Sequence, residues 1–218
     1  MNKFFLVLAA FLAFGGQLCP QGEPAGEKPW ETKDWRTWSR KDCNKVLTSS
    51  PWVSRSLLYQ YFRGDFAQIR SALPIRQAFL RLKQIDKRYG RMNAQQREAF
   101  DRQADAEYVA QFGDNIVVRV TSHLSKDFAI KNRTKKPGVT AMLLLPKGRH
   151  IYATEFRDDG QNVLAVFPRV LDGEPVIRPG DAIVTFLIGV PDMSAFTASD
   201  VPFIFKLDDM VYKGKREF

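Results

Sequence analysis

The chain has 218 residues, a formal net charge of +9 and a hydrophobic content of 44%, including 17 Phe, which excludes a largely disordered protein. The positive charge is spread thinly, with eight basic and five acidic residues in 71–113 and fifteen and thirteen in 114–218. We therefore expect no nucleic-acid partner, because phosphate-binding proteins cluster their cations on one face.

The chain begins with the pattern of an export signal. Lys3 precedes 11 apolar residues, from Phe4 to Phe14, and Gly15 and Gly16 follow them. This run is too short for a bilayer core, which needs about 20 apolar residues. We therefore predict a signal peptide over residues 1–18, no transmembrane span, and export to the periplasm or out of the cell.

Residues 19–30 are rich in Pro, Gly and charge, which predicts a flexible tether. Cys19 and Cys43 are the two cysteines, and three fates are open for them. They could form a disulfide after export, Cys19 could carry the lipid of a lipoprotein, or Cys43 could remain alone after cleavage. Leu18 before Cys19 disfavours the lipoprotein, whose signal requires a small residue there.

A short helix is predicted after the tether. Ser39 and Asp42 have the spacing of an N-cap residue and its acidic partner, which predicts a helix through Leu47 that ends before Ser50-Pro51. Four tryptophans fall within 23 residues around this helix. We interpret them as core anchors, in preference to a sugar-stacking platform. They are Trp30, Trp35, Trp38 and Trp52.

Two amphipathic helices are predicted next, over residues 74–89 and 93–113, as an antiparallel pair. Basic residues flank both sides of the apolar stripe of the first helix, with Arg81 and Arg88 on one side and three on the other: Arg76, Lys83 and Lys87. They are candidate contacts for an anionic membrane surface or an acidic partner, and the alternative is the solvated edge of a docked helix.

From Asn115 onward the apolar residues repeat with a period of two. The pattern predicts strands over 116–121, 139–145, 150–156, 163–167, 182–187 and 202–207, with 211–212 as a possible last one. Turn residues at 146–148 and 158–160 indicate hairpins. The predicted fold class is α+β, with a mainly helical region over 31–113 packed on an antiparallel β-sandwich of about six to eight strands over 114–218.

No catalytic, cofactor-binding or metal site is predicted. The two histidines, His123 and His150, lack further ligands at zinc-site spacing, and no nucleophile turn is present. Asp158 and Asp159 are better explained by a hairpin than by catalysis or calcium binding. The one dense basic cluster is a candidate anion or partner contact in an exposed loop, formed by Lys131, Arg133, Lys135 and Lys136.

The N-terminal motif W-x-x-W-S-x-x-D-C-x-x-V-L-x-x-S-P-W, with the later string Ser71-Ala72-x-Pro74-Ile75-Arg76-Gln77-Ala78, resembles an uncharacterised group of exported bacterial proteins with a β-rich C-terminal half. The resemblance implies no enzymatic or binding activity. It implies a structural signature that includes Cys43, which then needs no partner. The signature residues are Trp35, Trp38, Asp42, Cys43 and Trp52.

Three functional hypotheses follow. The first is a non-enzymatic exported protein that binds another protein or polymer in the cell envelope. The second is a hydrolase that uses a His/Asp pair with His123 or His150. The third is binding to an anionic polymer or membrane surface through the basic helix and loop. A contiguous exposed apolar patch or an open sheet edge would favour the first hypothesis.

Overall fold

The computed structural model describes residues 27–56, 66–108, 112–121, 140–158, 162–189 and 201–218. Within these ranges the fold is α+β, and the strands pair in antiparallel sheets. The predicted signal peptide, Cys19, His123, the turn at Asp159 and the 131–136 loop lie outside the described residues.

Four helices occupy mainly the N-terminal part of the described chain: α1 Pro29–Thr32, α2 Arg40–Ser49, α3 Leu73–Asp86 and α4 Ala94–Tyr108. The predicted cap of α2 is confirmed, because the Asp42 backbone N–H donates to the Ser39 Oγ at 3.2 Å and the Ser39 backbone N–H donates to the Asp42 carboxylate at 3.0 Å. This reciprocal capping box satisfies two donors that would otherwise be unpaired at the helix start. The same exchange of bonds caps α4, between Asn93 and Gln96.

Both helices of the predicted pair end before the predicted residue. α3 ends at Asp86, because Arg88 adopts a left-handed backbone conformation with φ 53° that a helix cannot continue. Residues Tyr89–Arg91 then form one 3-10 turn. α4 is helical as far as Tyr108, and Phe112, placed by its spacing on the same helix face, is buried beyond it.

The described residues contain thirteen short strands. They are β1 Val53–Arg55, β2 Phe66–Ile69, β3 Asn115–Thr121, β4 Thr140–Leu144, β5 His150–Tyr152, β6 Glu155–Asp158, β7 Val163–Pro168, β8 Val170–Leu171, β9 Glu174–Pro175, β10 Ile183–Gly189, β11 Val201–Lys206, β12 Val211–Tyr212 and β13 Lys215–Arg216.

Two main sheets are formed, with strand orders β1-β2-β3-β7-β6 and β11-β10-β4-β5, and two small hairpins pair β8 with β9 and β12 with β13. β1 and β2 belong to the region predicted as mainly helical, where the alternation of residues 65–71 is a weak strand signal, and they extend the sheet of β3. The sheet therefore spans residue 113, where the sequence placed a boundary. α1 also begins within the predicted tether, and Trp30 is buried there.

The single strand predicted over residues 150–156 is wrong. The Ala153 backbone N–H donates to Ala141 O at 2.9 Å, whereas the Thr154 backbone N–H donates to Val166 O at 2.8 Å. These acceptors belong to different sheets, so the chain passes from the four-stranded sheet to the five-stranded sheet between two consecutive residues. Ile151 and Ala153 pack against the core two positions apart, but the next core contact, Phe156, follows after three, so the period of two breaks at the crossing.

The two sheets share one hydrophobic core. Phe167 on β7 meets Phe186 on β10 edge to face, with ring centroids 6.1 Å apart, and Phe186 meets Phe203 on β11 at 6.0 Å. α3 contributes Ile75 and Ala78 to the same core, and its Phe79 ring centroid lies 6.0 Å from the Arg119 guanidinium on β3. The side chains of the four-stranded sheet that alternate with its core residues point away from this core.

Candidate functional site

The tryptophans of the signature lie mostly in the core. Trp38 and Trp52 have no solvent-exposed surface. Trp52 meets Trp30 and Tyr212 edge to face, with centroid distances of 6.2 and 6.4 Å, and its Nε1–H donates to Glu217 O at 2.7 Å. Trp35 is half-buried. These contacts join the N-terminal segment to the last strands of the chain, which is a structural role.

Asp42 and Cys43, the other signature residues, are also held by packing and hydrogen bonds. Burial raises the pKa of Asp42, but hydrogen bonds from Ser39 and Lys33 outweigh it and leave that pKa below its usual value. Cys43 is fully buried as a free thiol, and burial raises its pKa to about 11. A thiol in this state is a poor nucleophile, because the thiolate is the reactive form.

The described histidine makes no contact that would support hydrolysis. His150 is exposed on β5, where its ring meets Tyr152 edge to face at 5.7 Å and its Nδ1 is 3.4 Å from Gly148 O. Neither neighbour is a carboxylate. Over the described ranges, no group of three or more His, Cys, Asp or Glu side chains is placed to hold a metal ion.

The three basic residues predicted as a contact surface on α3 have different environments. The Arg76 guanidinium is half-buried, donates to Tyr108 O at 3.2 Å and lies 6.0 Å from the Phe112 ring centroid. Lys83 forms an ion pair with Glu107, which raises the pKa of the lysine. Lys87 is exposed at the end of the helix. The structure therefore directs Arg76 and Lys83 to α4 and leaves Lys87 at the surface.

The most unusual surface is the outer face of the four-stranded sheet, which we call the apolar face. Side chains alternate across a strand, and Val184, Phe186, Phe203 and Phe205 fill the core on the inner face. The side chains between them point outward and are mostly apolar. The apolar face consists of Met142, Leu144, Tyr152, Ile183, Leu187, Pro202 and Ile204.

Strand register places the apolar side chains of this face next to one another, except that the polar Thr185 lies between Leu144 and Ile204, and Met142 is itself buried. Ile204 pairs with Thr185, which pairs with Leu144, and Pro202, Leu187, Met142 and Tyr152 form a second row across all four strands. Four of the large apolar side chains on this face are between 38% and 51% exposed. They are Leu144, Tyr152, Ile183 and Ile204. An antiparallel sheet with one face in solvent normally carries polar residues there.

The predicted strands did not indicate this face, although the sequence carries a signal for it. The run Ala141-Met142-Leu143-Leu144-Leu145 is apolar at every position, as are Phe186-Leu187-Ile188 and Phe203-Ile204-Phe205. A continuous apolar run is typical of a strand covered on both faces, whereas a strand with one wet face alternates. The residues of these runs that face away from the core are the ones that form the apolar face.

None of the described helices is both long and apolar enough to cross a bilayer. The described architecture defines an α+β protein with two antiparallel sheets and a contiguous apolar surface. Comparison of the chain with protein-family models, with curated proteins and with solved structures finds no match.

Proposed function

We propose that this chain is an exported, non-enzymatic protein that binds another protein through the apolar face. The observation that carries the proposal is the exposure of Leu144, Tyr152, Ile183 and Ile204 on one sheet face. Large contiguous apolar patches on soluble proteins mark interaction sites. Removing apolar surface from water is favourable by about 25 cal/mol per Å². Export rests on the predicted signal peptide at residues 1–18.

We also infer that the two main sheets form a β-sandwich. Its support is the shared core, in which Phe167 of one sheet packs on Phe186 of the other. This arrangement favours a binding role for the apolar face, since each sheet already buries one face against the other. The outward residues are then not needed to complete the core.

Charge indicates the chemistry of the partner. The chain carries a net charge of +9, and Lys206 is exposed at the border of the apolar face, directly opposite Ile183 in the register. Two copies of the chain would repel each other through this charge, whereas a protein with an acidic surface would be attracted. We therefore propose an acidic protein as the partner.

Site-specific crosslinking in cells tests the proposal. A photo-reactive phenylalanine analogue at position 152 should give a discrete crosslinked product that contains a second, acidic protein, because Tyr152 is the most exposed side chain of the apolar face. The same analogue at Arg102, exposed on α4, is the matched control and should give no such product. Adding Leu144→Asp and Ile204→Asp should abolish the product from position 152, since buried carboxylates are strongly unfavourable in an apolar interface.

Three results would contradict the proposal. A product that contains two copies of this chain would assign the face to self-association. The same products from positions 102 and 152 would show that the apolar face has no selectivity. The absence of any protein product at position 152 would remove the proposed function.

A further inference from the structure

Two surface grooves at the connection between α3 and α4 share a rim of positive charge, which we call the basic rim. One groove has a volume of about 520 Å³ and the other about 460 Å³, and Arg88 and Arg91 line both. Lys87 lines the larger groove beside them. Among the residues that line either groove, none carries a carboxylate. We propose that the basic rim, Lys87, Arg88 and Arg91, binds the phosphate of an anionic lipid headgroup.

The first support is that the charge of the basic rim is not neutralised. Lys87, Arg88 and Arg91 form no ion pair with any residue that the structure describes, whereas Arg40 and Arg102 nearby are paired with Asp86 and Glu98. Three uncompensated cations around one groove attract a multivalent anion. Arginine is suited to phosphate, because its planar guanidinium donates two parallel hydrogen bonds to phosphate oxygens.

The helix dipole explains only part of this cluster. Cations close to the C-terminal end of a helix interact favourably with its partial negative charge, and this accounts for Lys87, the C-cap residue of α3, and for Arg88 next to it. Arg91 lies further from α3, in the 3-10 turn Tyr89–Arg91, and the effect of the dipole falls off within about one turn of the helix end. The position of Arg91 beside Arg88 in both grooves therefore needs a further explanation, which an anionic ligand provides.

The composition of the larger groove favours a lipid over a free phosphate ion. Besides the cations, its lining includes the apolar side chains of Met92, Ala99 and Phe100. A headgroup phosphate at the rim would bring its glycerol and upper acyl carbons over these side chains. Amphipathic surfaces that combine cations with apolar residues bind anionic lipid by this pair of forces.

Binding to phosphatidylglycerol vesicles tests this inference, with phosphatidylcholine vesicles as the neutral reference. The variant Lys87→Gln/Arg88→Gly/Arg91→Gln should lower the affinity for anionic vesicles at least tenfold, since each cation near a charged surface contributes severalfold. The matched control Lys41→Gln/Arg102→Gln/Lys215→Gln removes the same number of exposed charges elsewhere. It should change the affinity less than threefold.

A single variant separates binding from folding. Arg88 has φ 53°, a conformation in which glycine is preferred, so Arg88→Gly removes a charge without adding backbone strain. It should keep the thermal midpoint and still weaken vesicle binding. An unchanged affinity of the folded Arg88→Gly protein for anionic vesicles would contradict the inference.

Two other results would overturn it. Equal losses in the groove and control variants would show that net charge alone attracts the vesicles. Displacement by glycerol 3-phosphate at the same phosphate concentration would identify a free phosphate site with no lipid specificity. Neither result bears on the apolar face, which is formed by other elements, β4, β5, β10 and β11.

Discussion

Replacing Trp52 by alanine should lower the free energy of unfolding by about 4 kcal/mol, as large-to-small changes of core aromatic residues do. Trp52 is fully buried, packs against Trp30 and Tyr212, and donates its indole N–H to Glu217 O. The substitution therefore leaves a cavity and an unpaired carbonyl in a cluster that joins both ends of the described chain. Urea denaturation of the purified protein measures the effect.

Two control variants identify the cause of the loss. Trp35→Ala removes the same side chain from a half-buried position and should cost less than about 2 kcal/mol. Trp52→Phe keeps much of the ring packing but loses the hydrogen bond. Its loss of unfolding free energy should lie between those of Trp35→Ala and Trp52→Ala. A loss below about 1.5 kcal/mol for Trp52→Ala would contradict the structural role of the signature.

Removing the Asp181 carboxylate from its ion pair with Arg149 should cost about 3 kcal/mol, the lower end of the range for removing one partner of a buried pair, because the Arg149 side chain is itself 26% exposed. The Arg149 Nη2 donates to both oxygens of Asp181, at 2.6 and 2.7 Å, and the Arg178 backbone N–H donates to Asp181 Oδ2 at 2.8 Å. Only 7% of the Asp181 side chain is exposed. Asp181→Ala leaves the Arg149 guanidinium and the Arg178 N–H without this acceptor.

The stabilisation of the fold by the Asp181 carboxylate should depend on pH. Burial raises the pKa of Asp181, but the hydrogen bonds from Arg149 and Arg178 outweigh it and keep the pKa below its usual value. The carboxylate therefore stabilises the fold fully above its unfolded-state pKa, about 3.9, and this contribution declines as the pH falls further. The difference in unfolding free energy between the original protein and Asp181→Ala should shrink in the same range.

An exposed ion pair provides the matched control for this experiment. Asp208 pairs with Arg216, but 65% of its side chain is exposed. Asp208→Ala should cost less than about 1 kcal/mol, because water screens the charges of a surface pair. Equal losses of unfolding free energy in Asp181→Ala and Asp208→Ala would contradict the conclusion that burial makes the pair of Arg149 and Asp181 more stabilising than a surface pair.

Local signals in the sequence were sufficient to predict most elements. Ser39 and Asp42 specify a cap through their own hydrogen bonds, and Pro74 and Asn93 mark helix starts for the same local reason. The period of two located most of the strands. These features depend on residues within a few positions of one another, so they can be read without knowledge of the fold.

Features that depend on distant residues could not be predicted. β1 has only three residues and is a strand because Val53, Ser54 and Arg55 pair with β2. The passage between sheets at Ala153 and Thr154 depends on which distant carbonyl each N–H meets. The ion pair of Arg149 and Asp181 joins residues 32 positions apart, and no local pattern distinguishes it from other charged residues.

The candidate surfaces differ in the same way. The apolar runs of β4, β10 and β11 were visible in the sequence, but recognising one exposed face required the strand register that aligns Leu144 with Thr185 and Ile204. On the basic helix, Arg76, Lys83 and Lys87 could not be told apart from the sequence, since all three flank the same apolar stripe. The structure separates them, because helix packing brings Glu107 to Lys83 and Tyr108 O to Arg76. Export and the signal peptide remain predictions from the sequence.

The accessibility of position 152 tests most directly whether the apolar face is an occupied binding surface. The Tyr152→Cys variant, with Cys19→Ser, should react rapidly with a maleimide in the purified protein, because Tyr152 is 51% exposed. Cys43 should add little background, since its buried thiol has a pKa of about 11.

In intact cells the same variant should react at least tenfold more slowly than an Arg102→Cys variant in the same background, because the partner covers the apolar face and leaves α4 open. Equal rates at the two positions in cells would show that nothing binds the face. Slow reaction at position 152 in the purified protein would show that the chain itself covers it, and either result would contradict the proposed function.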